Sequence, residues 1–545
     1  MSNRVKENRD PEMTRALSLF SGGLDSVLSV YLIKKQGIEV EAVTFKSAFF
    51  SADRGIASAK QLGIVHRVID FSQEHLEIVK NPKHGYGKAV NPCIDCHGLM
   101  LKHLNQVLKK EGWDFVVSGE VLGQRPMSQN KNALKLIAKE SGLGDLLLRP
   151  LSARLLEPSL PEIKGWVDRR QLLDIQGRSR FKQLALAKEF GLSFPQPAGG
   201  CLLTEKEFAK KFSWLVSKRP DFDVQEAELI TFGRHFWDKG LIVLGRNQAE
   251  NRQLEEIATH KDSLLQPIKL AGPTVLVKGG KKSRMAEKLL LKYSKKGKQD
   301  SAIVFFGSSL ESVAVLKILL GGGVKVDLVV TQPDRPAGRG QKLTPTPLAQ
   351  FCQENNLKVI KPEKLDDQSL PKLKSPLGIV AVYGNWIPQS WLDYFPMIVN
   401  IHPSLLPAWR GAAPVIRSVQ VGEATTGVTI FKLVKAMDAG PIIDQVKVKV
   451  KPNQTTGELT DQLFELGANR LVDLLKEDFW VLKAQDHLKA TLTKKVNKAE
   501  AEIDWKQPAK VILNQIRAFN PYPGAYTFVR VKGKKMRLKI WTAHI

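Results

Sequence analysis

Asn400, His402 and Asp438 are the residues with the clearest chemistry, in NIHPSLLPAWRGAAP (Asn400 to Pro414) and GVTIFKLVKAMDAGPI (Gly427 to Ile442). Asn400 and His402 stand two apart at what reads as a strand end, MIVNIHP, so both side chains point to one face. An amide donor and an imidazole there suit the oxyanion that forms when a nucleophile attacks a carbonyl carbon. Asp438, on the loop MDAG, is placed to orient the histidine and to join proton transfer through water.

A second constellation lies far upstream. SGGLDS (Ser21 to Ser26) follows the apolar run ALSLF and precedes a helical one, so its Gly-Gly pair can turn sharply and expose backbone N–H groups at a helix N-terminus. That makes an anion cradle, and the lysine of a GxxxxGK[ST] loop is missing from it. Cys93, Cys96 and Cys201, in NPCIDCH and PAGGCLLT, are three of four cysteines in the chain. Three thiolates can hold three irons of a 4Fe-4S cubane; zinc on Cys93, Cys96, Cys201 and His97 is the competing reading, and spacing does not separate them. Cys352, in PLAQFCQENN, reads as core.

These groups need α/β scaffolds. From residue 16 to 205, ALSLF, EVEAVTF, HRVIDF and DFVVSG alternate with helical spacers, which predicts a parallel sheet. LIVLGRN and GPTVLVKGG predict a small β-rich unit over 206–285, and 286–300 a basic linker ending in KYSKKGKQD. A second α/β domain is expected over 301–482: SAIVFFG a strand, LESVAVLKILLGGG a helix, VKVDLVVTQ a strand and Gly457 to Leu482 a closing helical stretch. Residues 483–545 hold short strands such as AYTFVRV and RLKIWTA, and 1–15 is expected to be a disordered tail. The fold class is therefore α/β and multidomain.

Composition narrows the setting. The 545 residues include 82 Lys plus Arg against 55 Asp plus Glu, a net charge of +27, and Lys278 to Lys298 holds nine basic residues and one acid. Such a field attracts polyanions, an RNA backbone foremost. No apolar run is long enough to span a bilayer and the first fifteen residues lack an apolar h-region, so no membrane partner and no signal peptide are expected. Four cysteines in this length predict a reducing, cytoplasmic location.

The Asn400–Pro414 and Gly427–Ile442 strings resemble the folate-dependent formyltransferases. The resemblance implies 10-formyltetrahydrofolate as co-substrate, Asn400, His402 and Asp438 as the catalytic set, and a folate crevice at Tyr383, Gly384, Pro388, Ser404, Leu405, Leu406 and Pro407. The family's AYG is VYG here, with Val382 for alanine. TQPDRPAGRGQKL, with Arg335, Arg339 and Lys342, looks like the loop by which the methionyl-tRNA branch grips an acceptor stem, and AEIDW and RAFNPYPGAYT match that branch's C-terminal region. Initiator methionyl-tRNA is the implied acceptor, and a sugar nucleotide or other small amine is the alternative. By the same comparison the OB-like C-terminal barrel is expected to be incomplete.

SGGLDS resembles the PP-loop ATP pyrophosphatases, which implies ATP with Mg²⁺ held by Ser21, Gly22, Gly23, Asp25 and Ser26. SGEVLGQRPMSQ and LLLRPLS look like tRNA thiouridine synthetases of the 4-thiouridine type. That resemblance implies adenylation of a tRNA uridine carbonyl, then displacement of AMP by sulfur from a donor such as a cysteine desulfurase. Cys93, Cys96 and Cys201 would act there as cluster ligands or in a persulfide relay; a non-catalytic RNA-binding adaptor is the alternative. About fifteen residues precede the loop, so no THUMP-type module is expected before it, and no rhodanese-like carrier after. GRHFWDKGLIVLGRNQAENRQL is similar to NFACT-R-type RNA-binding domains, which implies an RNA-binding role for 206–285.

Overall fold

A computed structural model describes residues 14–194, 201–268, 271–280, 282–294, 302–337, 342–374 and 376–544. Arg339, most of the N-terminal tail, the PAGG before Cys201 and the end of the basic linker lie outside them. The chain divides into two compact units, 1–232 and 233–545.

The first unit is a five-stranded parallel sheet: β1 (Arg15–Leu19), β2 (Glu39–Lys46), β3 (Val65–Asp70), β4 (Phe115–Ser118) and β5 (Leu147–Leu148), in the order β3-β2-β1-β4-β5. Its central strands are buried on both faces, which is why ALSL and FVVS read as continuous apolar runs. Ala16, Phe20, Val27 and Val117 pack on one side of the sheet, and Leu17, Val43, Leu104 and Val116 on the other. The chain leaves β1 toward β2 and returns on the opposite side at β4, so a crevice opens at the carboxyl ends of β1 and β4. SGGLDS lies there. Helices Lys206–Lys218 and Val224–Leu229 also belong to this unit.

The second unit carries a small sheet and a large one. The small sheet contains β6 (Arg234–Trp237), β7 (Leu241–Leu244), β8 (Ser263–Pro267) and β9 (Val275–Val277), all antiparallel. The large sheet follows with β10 (Ile303–Phe306) and β11 (Leu328–Val330); the hairpin β12 (Arg335–Ala337) and β13 (Lys342–Thr344) projects from it. Then come β14 (Val359–Ile360), β15 (Leu377–Val380), β16 (Met397–His402), the short β17 (Arg410–Gly411), β18 (Thr425–Lys432) and β19 (Ile442–Lys449). The seven-stranded order is β14-β11-β10-β15-β16-β18-β19, parallel up to β16 and antiparallel beyond. The topological switch falls between β10 and β15.

Two features depart from the sequence expectation. The closing helix runs only over Thr456–Leu474, because Phe479–Leu482 forms a strand, β20. That strand pairs antiparallel with β8 and completes the small sheet as β20-β8-β9-β7-β6. Ion pairs reinforce this join: Lys432 Nζ lies 2.7 Å from Glu255 Oε2, and Arg252 Nη2 lies 3.0 Å from Asp393 Oδ1. Beyond β20, helix Ala509–Ala518 and a hairpin, Ala525–Val531 with Lys534–Ile540, end the described chain. Among the described residues no helix is long and apolar enough to cross a membrane.

Candidate functional sites

At the switch of the large sheet, Gly307 closes β10 where a Cβ would meet Ser312 Cβ at 2.6 Å. Ser312 Oγ donates to Ala381 O (2.7 Å) and Ser308 Oγ to Tyr383 O (3.1 Å), which ties the β10 and β15 exits together. Gln332 Nε2 donates to Tyr383 O and Asn385 Oδ1, each at 3.0 Å, and a Cβ on Gly384 would meet that nitrogen at 2.8 Å. Val382 sits at φ +50°, a region costly for a β-branched side chain. The Tyr383 to Pro388 loop, one of the two segments expected to hold the folate, is thus tied to the β10 and β11 exits, with Tyr383 and Ile387 buried.

The other expected folate segment is Ser404 to Pro407. Thr429 Oγ1 donates to Ser404 O (2.6 Å) and accepts from Leu406 N (3.1 Å), while Gln445 Nε2 donates to Leu406 O (2.8 Å). Leu405 is half-buried and Leu406 lies in the core, and Ser404 Oγ is used internally, donating to Ala408 O (2.7 Å).

Asn400 and His402 leave the end of β16 on one face. His402 is 5% exposed and packs edge-on against Phe431. Burial pulls its pKa below the usual imidazole value; Asp438 and the Trp409 carbonyl oppose that shift without cancelling it. The ring is therefore neutral at pH 7. Its Nε2 lies 3.1 Å from Trp409 O, a pure acceptor, so the single N–H belongs on Nε2 and donates there. Nδ1 then offers a lone pair toward Asp438 Oδ2, 3.8 Å away. Two acceptors so spaced call for a donor between them. An sp³ nitrogen about 2.8 Å from each would see them roughly 85° apart, an angle that two N–H bonds of one amine can serve with moderately bent hydrogen bonds.

The Asp438 carboxylate also accepts from Gly411 N (2.8 Å), which fixes its direction. Asp438 itself has φ +47°, in the left-handed region that aspartate tolerates. Among the described residues no hydrogen bond engages the Asn400 side chain, so its amide stays available as a donor. Arg335 and Lys342 lie exposed on the β12–β13 hairpin.

In the first unit, a cavity of about 1570 Å³ reaches from the SGGLDS turn to all three cysteines. Gly22 has φ +71°, and a Cβ there would meet Arg54 O at 2.5 Å, so only glycine fits. Gly23 begins helix Leu24–Lys34 with no side-chain cap, which leaves its first N–H groups facing the cavity mouth. Asp25 Oδ2 accepts from Gln124 Nε2 (2.8 Å), while its buried Oδ1 has no partner. An orphaned carboxylate oxygen beside an N–H cradle fits a phosphate-bound divalent cation. Lys46, Arg54, Arg125 and Arg180 add positive charge to the lining.

Cys93, Cys96 and Cys201 line the same cavity as free thiols. Burial pushes the Cys201 thiol up to about 12 and Cys96 well above its ordinary value, with the other two cysteines adding to the Cys96 shift. Asn91 Nδ2 donates to Cys93 Sγ at 3.2 Å. Beneath them Glu120, 3% exposed, accepts from His97 Nδ1 (2.9 Å), Arg149 Nε (2.9 Å) and Ser118 Oγ (2.9 Å). Burial alone would raise this carboxyl; Arg149 and His97 hold it well below the usual carboxylate range.

Residues 301–475 match the Formyl transferase family and 495–545 its C-terminal domain. A methionyl-tRNA formyltransferase of Chloroflexus aggregans is 44% identical over 244 residues, 43% of this chain and 78% of that protein. One of Aromatoleum aromaticum is 39% identical over 250 residues, 44% of this chain and 78% of that protein. The chain belongs to the methionyl-tRNA formyltransferase family. Residues 12–154 match Thiamine biosynthesis protein (ThiI), and 233–317 the NFACT protein RNA binding domain. A crystal structure of a 4-N formyltransferase from Francisella tularensis aligns with 20% identity, 45% of this chain, 99% of that chain and a TM-score of 0.36. The formyltransferase half thus carries an enzyme, and the fused ThiI-like region implies ATP.

Sequence reasoning did not single out Trp409, whose carbonyl sets the histidine tautomer, or Gln485, which sits behind Asp438. Neither carries a sequence signal, since a carbonyl acceptor is contributed by any residue. Glu120 was passed over inside SGEVLG, where only its burial in the fold marks it.

Proposed function

We propose that the C-terminal half transfers the formyl group of 10-formyltetrahydrofolate to the amine of initiator methionyl-tRNA. The observation that carries this is the pair of acceptors, His402 Nδ1 and Asp438 Oδ2, 3.8 Å apart beside the free Asn400 amide. The two segments, Tyr383 to Pro388 and Ser404 to Pro407, hold the folate. The substrate amine donates to His402 and Asp438, which aims its lone pair at the formyl carbon. Asn400 donates to the oxyanion that forms on attack. His402, whose only N–H is committed to Trp409, serves the proton side: with Asp438 it takes the amine proton and passes it to the departing folate nitrogen as the C–N bond to the folate breaks, so that tetrahydrofolate leaves neutral. Arg335, Arg339 and Lys342 contact the acceptor stem, whose phosphates the net charge of +27 also favours over a sugar nucleotide. Incubating the protein with labelled formyl folate and charged initiator tRNA tests this; absence of label on the methionyl amine defeats it.

The first unit, in the same reading, thiolates a tRNA uridine. ATP with Mg²⁺ binds Ser21 to Ser26, and Asp25 Oδ1 offers the metal ligand. Uridine O attacks the α-phosphorus with release of pyrophosphate; the persulfide sulfur of a cysteine-desulfurase-type donor, reduced to the sulfide level by a pair of thiols that ends as a disulfide, then displaces AMP. Cys93, Cys96 and Cys201 would hold a 4Fe-4S cluster able to carry sulfide on its open iron, and the convergence of all three on one cavity supports that donor set. The same convergence serves a persulfide relay, so iron, zinc and sulfide analysis of anaerobically purified protein chooses between them. Unchanged thiouridine in tRNA from cells lacking the protein would instead make this unit an RNA-binding adaptor.

A further inference from the structure

Behind the Asp438 loop lies a buried amide that no motif marks. Gln485 is 3% exposed and follows β20 by three residues. Its Nε2 donates to Asp438 O (2.8 Å) and Gly440 O (2.7 Å), so both N–H bonds are used. Its Oε1 accepts from Arg410 Nε (3.0 Å) and Nη2 (2.6 Å). Arg410 is itself 6% exposed and precedes Gly411, whose N–H holds the Asp438 carboxylate. One side chain therefore clamps the backbone of Asp438 and the strand that grips its carboxylate.

The loop needs such a clamp. Asp438 is held at φ +47°, and Gly440 runs so close to Lys432 O that no Cβ fits there. The loop's own turn is held by a long bond, Ala439 N to Ala436 O at 3.3 Å, while the Asp438 and Gly440 carbonyls are both taken by Gln485. Gln485 is anchored in turn: Lys483 and Ile442 exchange N–H···O bonds (2.7 and 2.8 Å), and β20 pairs with β8 of the small sheet.

We propose that Gln485 is a positioning residue for formyl transfer, acting through Asp438, and that β20 makes the small RNA-binding-like sheet part of the support for the catalytic loop. This rests on the formyltransferase reading above. Gln485→Ala should lower kcat about 10- to 100-fold, the scale of a 1 Å misplacement, with KM for tRNA and folate within about twofold. Gln485→Glu keeps the Arg410 contact but sets an oxygen against two carbonyls, so it should lose as much. In an Asp438→Ala background, Gln485→Ala should cost no more than about twofold further. Amide exchange over 436–440 should quicken in both Gln485 variants. Additive losses in the double variant, or unchanged exchange of that loop, would overturn the proposal. Should the wild-type protein fail to formylate, the functional reading falls, and the exchange measurement still decides whether Gln485 holds the loop.

Discussion

Replacing His402 by glutamine isolates the step on which the formyl-transfer reading depends. Glutamine Nε2 reaches the place of the ring nitrogen that now donates to Trp409 O at 3.1 Å, but leaves no lone pair where Nδ1 faces Asp438. The loss is therefore that of a general base, about 10²- to 10⁴-fold in kcat, or roughly 3–5 kcal/mol at 1.36 kcal/mol per decade. His402→Ala additionally removes the bond to Trp409 O, worth about 1 kcal/mol, and the ring's contact with Phe431. It should lower stability as well as rate, so the glutamine variant is the cleaner one. Burial lowers the His402 pKa, so the wild-type kcat/KM should climb with rising pH and level off at an inflection below 6.5. The same depressed pKa means that stability is lost as pH falls below 6.5, where the unfolded histidine takes up a proton that the folded one resists. Steady-state formylation across pH 5–8, with unfolding followed in parallel, measures both. A His402→Gln enzyme within about tenfold of wild type, its acid limb intact, would refute the assignment.

The remaining predictions concern the other groups. Lys342→Ala and Arg335→Ala should each weaken tRNA binding and reduce the salt slope by about 1 without changing kcat, as measured by titration from low to moderate salt; an unchanged slope removes the hairpin from the interface. Asp25→Asn should abolish Mg²⁺-ATP binding by calorimetry, and Cys201→Ser thiouridine formation by tRNA mass spectrometry, with formylation by either variant within about twofold of wild type if the two chemistries are independent. Glu120→Gln leaves the Arg149 guanidinium, 7% exposed, without its counter-charge, and should cost about 3–5 kcal/mol of unfolding free energy in urea. Because this carboxyl is held low, its contribution is fully present above the model-peptide value of 4.5 and is lost as pH falls below it; the variant should lack that acid dependence.

Much of this was legible in the chain because local pattern and tertiary role coincide. ALSLF, DFVVSG and SAIVFFG are apolar runs ended by small residues, and each became a buried parallel strand whose exit carries site residues. Asn400 and His402 could be set on one face from their two-residue spacing alone. What stayed hidden depends on distant partners. FWVL after a long helix reads as the helix's continuation, since its fate as β20 is decided by β8, more than two hundred residues earlier. Sequence reading paired His402 with Asn400 as a donor; assigning it to the proton side required seeing that the Trp409 carbonyl occupies its only N–H. Gln485 lies in a polar connection where no period or motif distinguishes it from its neighbours.

Both proposed chemistries draw on the carboxyl edge of a parallel sheet, yet the groups collected there are of opposite kinds. At Ser21 to Ser26 the turn gathers donors and cations: uncapped helix N–H groups, with Arg54, Arg125 and Arg180 lining the cavity and one orphaned carboxylate oxygen to seat a divalent ion. At Asn400 to Asp438 it gathers acceptors, an imidazole lone pair and a carboxylate, with one free amide donor beside them. A polyphosphate brings only acceptors and needs the first set. An amine brings donors and a lone pair to be aimed, and attacks a carbonyl that becomes an anion, so it needs the second. The donor and acceptor balance at each edge, more than the fold that carries it, is what supports the proposal of a nucleotide at one end of this chain and an aminoacyl group at the other.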